Sequence, residues 1–185
     1  MDNGASSYRR FLGGDESGIV EIIRDYKDGL ILYLNGYVKN IHIAEEIMED
    51  VFVKLVVKKP RFSEKFSFKT WLYTIAGNAA IDWFRRNSRW TDTPIEELED
   101  ILADENDLEH EYLKEEQKIM LHRAMGNIRE EYRTVLYLSF FEDLPNAEIA
   151  AVMKKSRRQI ENLIYRGKQS LKSELEKEGF VYEEL

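Results

Sequence analysis

Apolar residues recur at helical spacing along almost the whole chain, and the most exacting instance runs from Leu144 to Arg166. There Ile149, Ala150, Val152 and Met153 mark the inward face of a short helix. A polar turn follows, and Ser156 stands where it caps a second helix whose inward residues are Ile160, Leu163 and Ile164. Two helices joined by so short a turn pack across one another as a helix-turn-helix. The outward face of the second helix carries Arg157, Arg158, Gln159, Glu161, Asn162, Tyr165 and Arg166. Guanidinium groups suit phosphate or guanine, amides suit adenine, and a ring suits a thymine methyl, so this face fits a DNA major groove.

The remainder points to an all-α chain. Glycine and proline are few, at 10 and 3 in 185 residues, and no strand-like alternation competes with the helical period. The absence of cysteine excludes a disulfide scaffold and a thiolate metal site, and it fits a reducing cytoplasm. Residues 1–15 are polar and lack the apolar core of a signal peptide, and no apolar run is long enough to cross a bilayer. The net charge of −8 is unusual for a nucleic-acid binder, but it is unevenly spread. Residues 58–89 carry a net +6, and so do residues 154–172, while the stretch from Asp92 to Glu116 is strongly acidic. Two basic islands in an acidic chain suggest two nucleic-acid contacts and a poor grip on random DNA. Ordinary surface charge explains the same pattern equally well.

Along the chain, Ile19, Ile22, Ile23, Tyr26 and Leu30 mark a first helix. Ile41, Ala44, Ile47, Met48, Val51, Phe52 and Leu55 mark a second, which Pro60 ends. A loop over residues 61–67 leads into a third helix ending near Asn87, with Phe68, Leu72, Ile75, Ala76, Ala79 and Trp83 inward. Residues 88–115 are rich in carboxylates and poor in apolar positions, which predicts a linker. The helical period returns from about Glu116, and the acidic tail after Lys177 is expected to fray. The first basic island is interleaved with aromatics, an arrangement that suits unstacked bases. Phe68, Trp71 and Trp83 fall on the buried phase; Phe62 and Phe66 lie in the loop and are the better candidates for stacking.

Taken together these blocks resemble the extracytoplasmic-function group of bacterial RNA polymerase sigma factors. The resemblance spans roughly Ile19 to Leu175. It rests on the run from Ala44 to Leu55, on Arg61-Phe62, on Phe68 to Asn78, on Ile81 to Arg86, and on the helix-turn-helix. It implies two small helical domains: region 2 over residues 15–88 and region 4 over 116–177, joined by an acidic linker over 89–115. It implies a non-enzymatic initiation factor that needs no cofactor. Region 2 would bind the clamp of the largest polymerase subunit and read and open the −10 element. Region 4 would bind the flap of the second-largest subunit and read the −35 element. An anti-sigma factor is a further expected partner.

Carried over position by position, the clamp-binding helix is about Ile41 to Val57, with Glu45, Glu46, Glu49, Asp50, Val53 and Lys54 on its solvent phase. The −10 pocket maps to Phe62, Ser63, Glu64, Lys65, Phe66 and Ser67, faced by Asn78, with Thr74, Arg85 and Arg86 beside it. The −35 surface maps to Ser156, Arg157, Arg158, Gln159, Glu161, Asn162, Tyr165 and Arg166. Three positions depart from the family's pattern. Lys154-Lys155 stands where a glycine is common, and Glu161 and Leu163 stand where basic residues are common. Glu161 either accepts from a cytosine amino group or pairs with Arg157 or Arg158.

Two other classes of function remain on the residues alone. A stand-alone DNA-binding regulator would leave the aromatic-basic loop unexplained. A nucleic-acid enzyme is disfavoured because His42, His110 and His122 are scattered and no Gly-rich phosphate loop is present. For the initiation-factor reading, each half alone offers few base contacts, and joining them through polymerase raises their effective concentration. A filter-binding titration of the isolated chain should therefore show weak, strongly salt-dependent binding to promoter DNA; tight sequence-specific binding at physiological salt would contradict the reading.

Overall fold

The computed structural model describes residues 3–87, 120–177 and 179, all helical or in turns and loops, with no strand among them. The expected linker and the end of the acidic tail lie outside the described residues. In chain order the helices are α1 (Asn3–Leu12), α2 (Ser17–Val38), α3 (Ile41–Lys58) and α4 (Phe68–Asn87). Helical residues 120–127 (α5) follow. Then come α6 (Glu130–Leu136), a π-helical turn (Tyr137–Phe141), α7 (Asn146–Met153) and α8 (Arg157–Lys177).

Local chemistry sets these boundaries. The Asn40 side chain accepts from the Ile43 N–H at 3.1 Å and starts α3. Lys59 ends it in the left-handed region at φ 44°, with Pro60 next to block continuation. Ser67 Oγ accepts from the Thr70 N–H at 3.2 Å and starts α4. These ends match the sequence expectation to within about a residue.

Helix α2 is the axis of the N-terminal body, packing against α1, α3 and α4. Ile22, Leu30, Leu34, Ala44, Val51, Leu55, Phe68 and Leu72 fill the space between them. Helix α1 lies in the polar stretch for which the sequence suggested no element. Its Ala5, Tyr8 and Phe11 recur at helical spacing and are buried. Tyr8 sits in an aromatic cluster, 5.5 Å from the Phe68 ring and 5.2 Å from Trp71. The Tyr8 hydroxyl donates to the Pro60 carbonyl at 2.7 Å, so α1 braces the chain just before the 61–67 loop.

In the C-terminal body, α6 packs along α8 and α7 crosses α8. Arg133, on α6, is buried and donates to the carbonyls of Met125 (2.7 Å), Gly126 (2.9 Å) and Ile128 (2.9 Å). These are the acceptors that the end of α5 leaves open. The two bodies are in contact: α2 touches α6, and α4 lies beside α7.

Burial pushes the Tyr8 phenol from its ordinary 10.0 up to about 12. A phenol held neutral in the fold contributes stability that is complete below about pH 10 and is lost as pH rises toward 12. Tyr8→Phe leaves the Pro60 carbonyl without its donor and should cost about 1–2 kcal/mol in urea unfolding near neutral pH. The variant should also lose stability less steeply than the parent in the alkaline range. Part of the alkaline loss remains, because burial also raises Tyr33, Tyr73 and Tyr137.

Candidate nucleic-acid and polymerase interfaces

The helix-turn-helix is built from two caps and one strained residue. Lys154 ends α7 at φ 54°, in the left-handed region that glycine enters without a Cβ penalty, which is the physical reason a glycine suits this turn. The Ser156 hydroxyl accepts from the Gln159 N–H at 3.3 Å, and the Gln159 side chain accepts from the Ser156 N–H at 2.8 Å. That is a reciprocal capping box. Ile160 is fully buried, and Leu163 and Ile164 are half-buried, so the predicted inward face is the inward face. Arg157, Arg158, Gln159, Glu161, Asn162, Tyr165 and Arg166 are all exposed, as is Ser156 at the cap. Arg157 Nε lies 3.1 Å from Glu161 Oε1, an i,i+4 pair that holds the Arg157 fork along the helix.

On α3, Glu46, Glu49, Asp50, Val53 and Lys54 are exposed. Glu45 is half-buried, and its carboxylate lies 3.5 Å from His42 Nδ1. Val53 is 58% exposed, Val56 41% and Val57 67%, which puts three neighbouring valines in water beside carboxylates. Isolated exposed valines are common; three together on one helix form an apolar patch suited to a protein partner.

The 61–67 loop is divided between inside and outside. Phe62 turns inward and is half-buried, 5.6 Å from Phe68 and 5.4 Å from Trp71. Ser63, Glu64, Lys65 and Phe66 are exposed. Lys65 Nζ lies 5.6 Å from the Phe66 ring centroid. Glu64 holds φ 54° and its carboxylate is 3.3 Å from Arg9 Nε on α1. A non-glycine residue in that region marks stored local strain, here at the tip of the loop. Arg85 and Arg86 are exposed on the last turn of α4.

Ser67, Thr70, Thr74 and Asn78 follow one another at three- and four-residue steps and form a polar stripe along α4. Asn78 shares this stripe with Ser67 but lies about 16 Å further along by helical rise. It is therefore set apart from the aromatic part of the loop rather than packed against it. The stripe faces the C-terminal body. Glu148 on α7 accepts from both the Ser67 and Thr70 hydroxyls. Lys154 Nζ donates to Asn78 Oδ1 at 2.7 Å. Thr74 returns its hydroxyl to the Thr70 carbonyl at 2.7 Å.

Sequence reasoning missed Glu148, Glu142, Arg133 and Tyr8. Nothing local in the sequence marks the carboxylates of α7 and of the turn before it as contacts to α4. Arg133 did carry a signal: with Leu136, Tyr137 and Phe140 it falls at helical spacing on a second, largely apolar face of its segment. Among the described residues no group of three or more His, Asp or Glu side chains is placed to hold a metal ion. No described helix is long and apolar enough to cross a membrane.

Comparison with known proteins agrees with this geometry. Residues 22–90 match the family profile Sigma-70 region 2, and residues 118–171 match Sigma-70, region 4. The RNA polymerase sigma factor YlaC of Bacillus subtilis is 28% identical over 160 residues, covering 86% of this chain and 92% of that protein. The ECF RNA polymerase sigma factor SigW of the same organism is 26% identical over 170 residues, covering 88% and 91%. Among solved structures, the sigma factor RpoE of Bartonella quintana, crystallised with the anti-sigma factor NepR, superposes with a TM-score of 0.67 at 18% identity. That match covers 84% of this chain and 95% of that one, and it shows likeness of fold. Two sigma-70 regions in sequence, on an all-helical chain that ends in a capped helix-turn-helix, place this protein in the extracytoplasmic-function group of sigma factors, the non-enzymatic subunits that direct bacterial RNA polymerase to promoters.

Proposed function

We propose a division of the initiation task by residue. Region 2, over 15–88 with α1 packed on it, docks on the polymerase clamp through α3 and holds the unstacked −10 strand along the 61–67 loop and the α4 stripe. Region 4, over 116–177, lays α8 in the major groove of the −35 element. The observation that carries the reading is the exposed outer face of α8 on a correctly capped helix-turn-helix, in a chain that also presents an exposed valine patch on α3. Duplex opening costs a few kcal/mol per unstacked base, and region 2 offsets it by stacking and hydrogen bonds to the trapped bases. Phe66 is the exposed ring available for stacking, at 37% exposure. Phe62 supports the loop from beneath. Ser67, Thr74 and Asn78 supply donors and acceptors, and Ser63, Glu64, Lys65, Arg85 and Arg86 line the strand's path. A cytoplasmic location follows from that of the polymerase it serves. An anti-sigma factor of the kind bound by RpoE of Bartonella quintana is a fitting partner.

Run-off transcription with purified core polymerase tests the reading: this chain should confer initiation at discrete promoters, and core that gains no promoter preference would overturn it. Val53→Glu places a charge in the valine patch and should weaken core binding at least tenfold in a pull-down titration, about 1.4 kcal/mol. Glu161→Gln separates the two roles of that carboxylate. If Glu161 serves to hold Arg157, the preferred −35 sequence stays unchanged with a small loss of affinity. If it accepts from cytosine, the preference changes at one base position.

A further inference from the structure

A cavity of about 320 Å³ lies between α2, α5 and the segment that runs from α6 into the π-helical turn. No residue of α3, α4, α7, α8 or the 61–67 loop lines it, so it is separate from every surface assigned above. We propose that this cavity is a binding site for an amphipathic monocarboxylate, a small anion with an apolar body. Its carboxylate meets Arg133 and Lys39, and its body lies among the apolar side chains of the three walls.

The volume is at the lower end of the range for small-molecule sites. Leu32, Leu121, Met125, Tyr137 and Phe141 give the walls their apolar character. The Phe141 ring, 51% exposed, stacks on Tyr137 with centroids 5.3 Å apart. Two glycines keep the space open. Gly36 on α2 and Gly126 on α5 both lie within helices, where glycine costs up to about 1 kcal/mol relative to alanine. Neither uses glycine's conformational freedom, since the positive-φ glycines are Gly14 and Gly179. Neither is forced by packing. A Cβ on Gly36 would stand 3.5 Å from Arg133, an ordinary contact, and one on Gly126 would meet nothing within 4 Å. Gly29 differs, because a Cβ there would stand 2.6 Å from the Tyr73 hydroxyl. What Gly36 and Gly126 do is withhold side chains from the cavity that they line.

The polar groups choose the ligand's charge. Arg133 lines the cavity and is only 7% exposed. A guanidinium carries five N–H groups. Four of them go to the carbonyls of Met125, Gly36, Gly126 and Ile128. The fifth, on Nη1, has no acceptor among the described residues. A buried donor left unmade is costly, and an occupant with an acceptor restores the bond. Lys39 lines the cavity from the exposed end of α2 and adds a second cation. Burial lowers the His122 pKa, so that imidazole is neutral near pH 7. No carboxylate lines the cavity among the described residues, in a chain with 35 acidic and 27 basic side chains. Glu130, whose carboxyl senses the Lys39 charge, is not part of the lining. One spare guanidinium N–H in apolar surroundings suits a monoanion, whereas a phosphate dianion would leave charge unpaired there. Because α2 belongs to one body and α5 and α6 to the other, an occupant needs both walls and stabilises their pairing.

Decanoate, kept below its micelle concentration, is the probe for isothermal titration of the full-length chain. It should bind saturably, one per chain, and raise the melting temperature as its concentration rises. Decylammonium, with the same tail and the opposite charge, should bind about tenfold or more weakly. Gly126→Leu suits a helix and puts a side chain into the cavity. It should weaken decanoate binding by about tenfold or more while the circular dichroism spectrum stays that of the parent. Lys39→Glu should weaken it severalfold. Methyl labelling of the five methionines gives a readout that needs no change at the site. The Met125 resonance should shift on titration with decanoate, and that of Met153 on α7 should stay. Heat without saturation, equal binding of the two probes, or a folded Gly126→Leu that binds decanoate as the parent does would each overturn the site. A Met125 resonance unmoved by saturating decanoate would overturn it too, and that measurement decides if Gly126→Leu fails to fold. Run-off transcription judges the promoter assignment separately, since none of these readouts depends on polymerase or DNA.

Discussion

One buried guanidinium organises the C-terminal body and its contact with the rest. Arg133 donates to three carbonyls at the end of α5 and to a fourth, Gly36, on α2. The terminal carbonyls of a helix carry partial negative charge and have no partners of their own, so a cation there is favoured. Burial lowers the Arg133 pKa, but a guanidinium starts so high that it keeps its proton. Three of its four bonds stay within the C-terminal body and one crosses to α2. Separating the bodies gives up the single crossing bond and leaves the α5 cap intact.

Much of this was legible in the sequence because it is local. The α3 and α4 faces follow from apolar period, the α3 stop from Pro60, and the α8 start from Ser156 with Gln159 three residues on. The outward face of α8 follows as the complement of Ile160, Leu163 and Ile164. Two kinds of fact were not legible. Helix α1 is short and polar on average, and its Ala5–Tyr8–Phe11 stripe matters only because Phe68 and Trp71 lie beneath it. Phe62 looked like a free loop ring, yet its partners Phe68 and Trp71 are already in the core, and the cluster draws it in. Both depend on contacts between segments that no spacing rule relates.

The contact between the bodies also settles how an acidic chain manages a basic surface. The island over 58–89 carries a net +6, and carboxylates of the C-terminal body sit on it: Glu142 at Lys69, and Glu148 at the Ser67 and Thr70 hydroxyls. A carboxylate offers the same kind of acceptor as a phosphate oxygen, at the start of a helix whose dipole favours negative charge. The protein thus fills its own anion-seeking groups, which lowers the residual attraction of the free chain for nucleic acid.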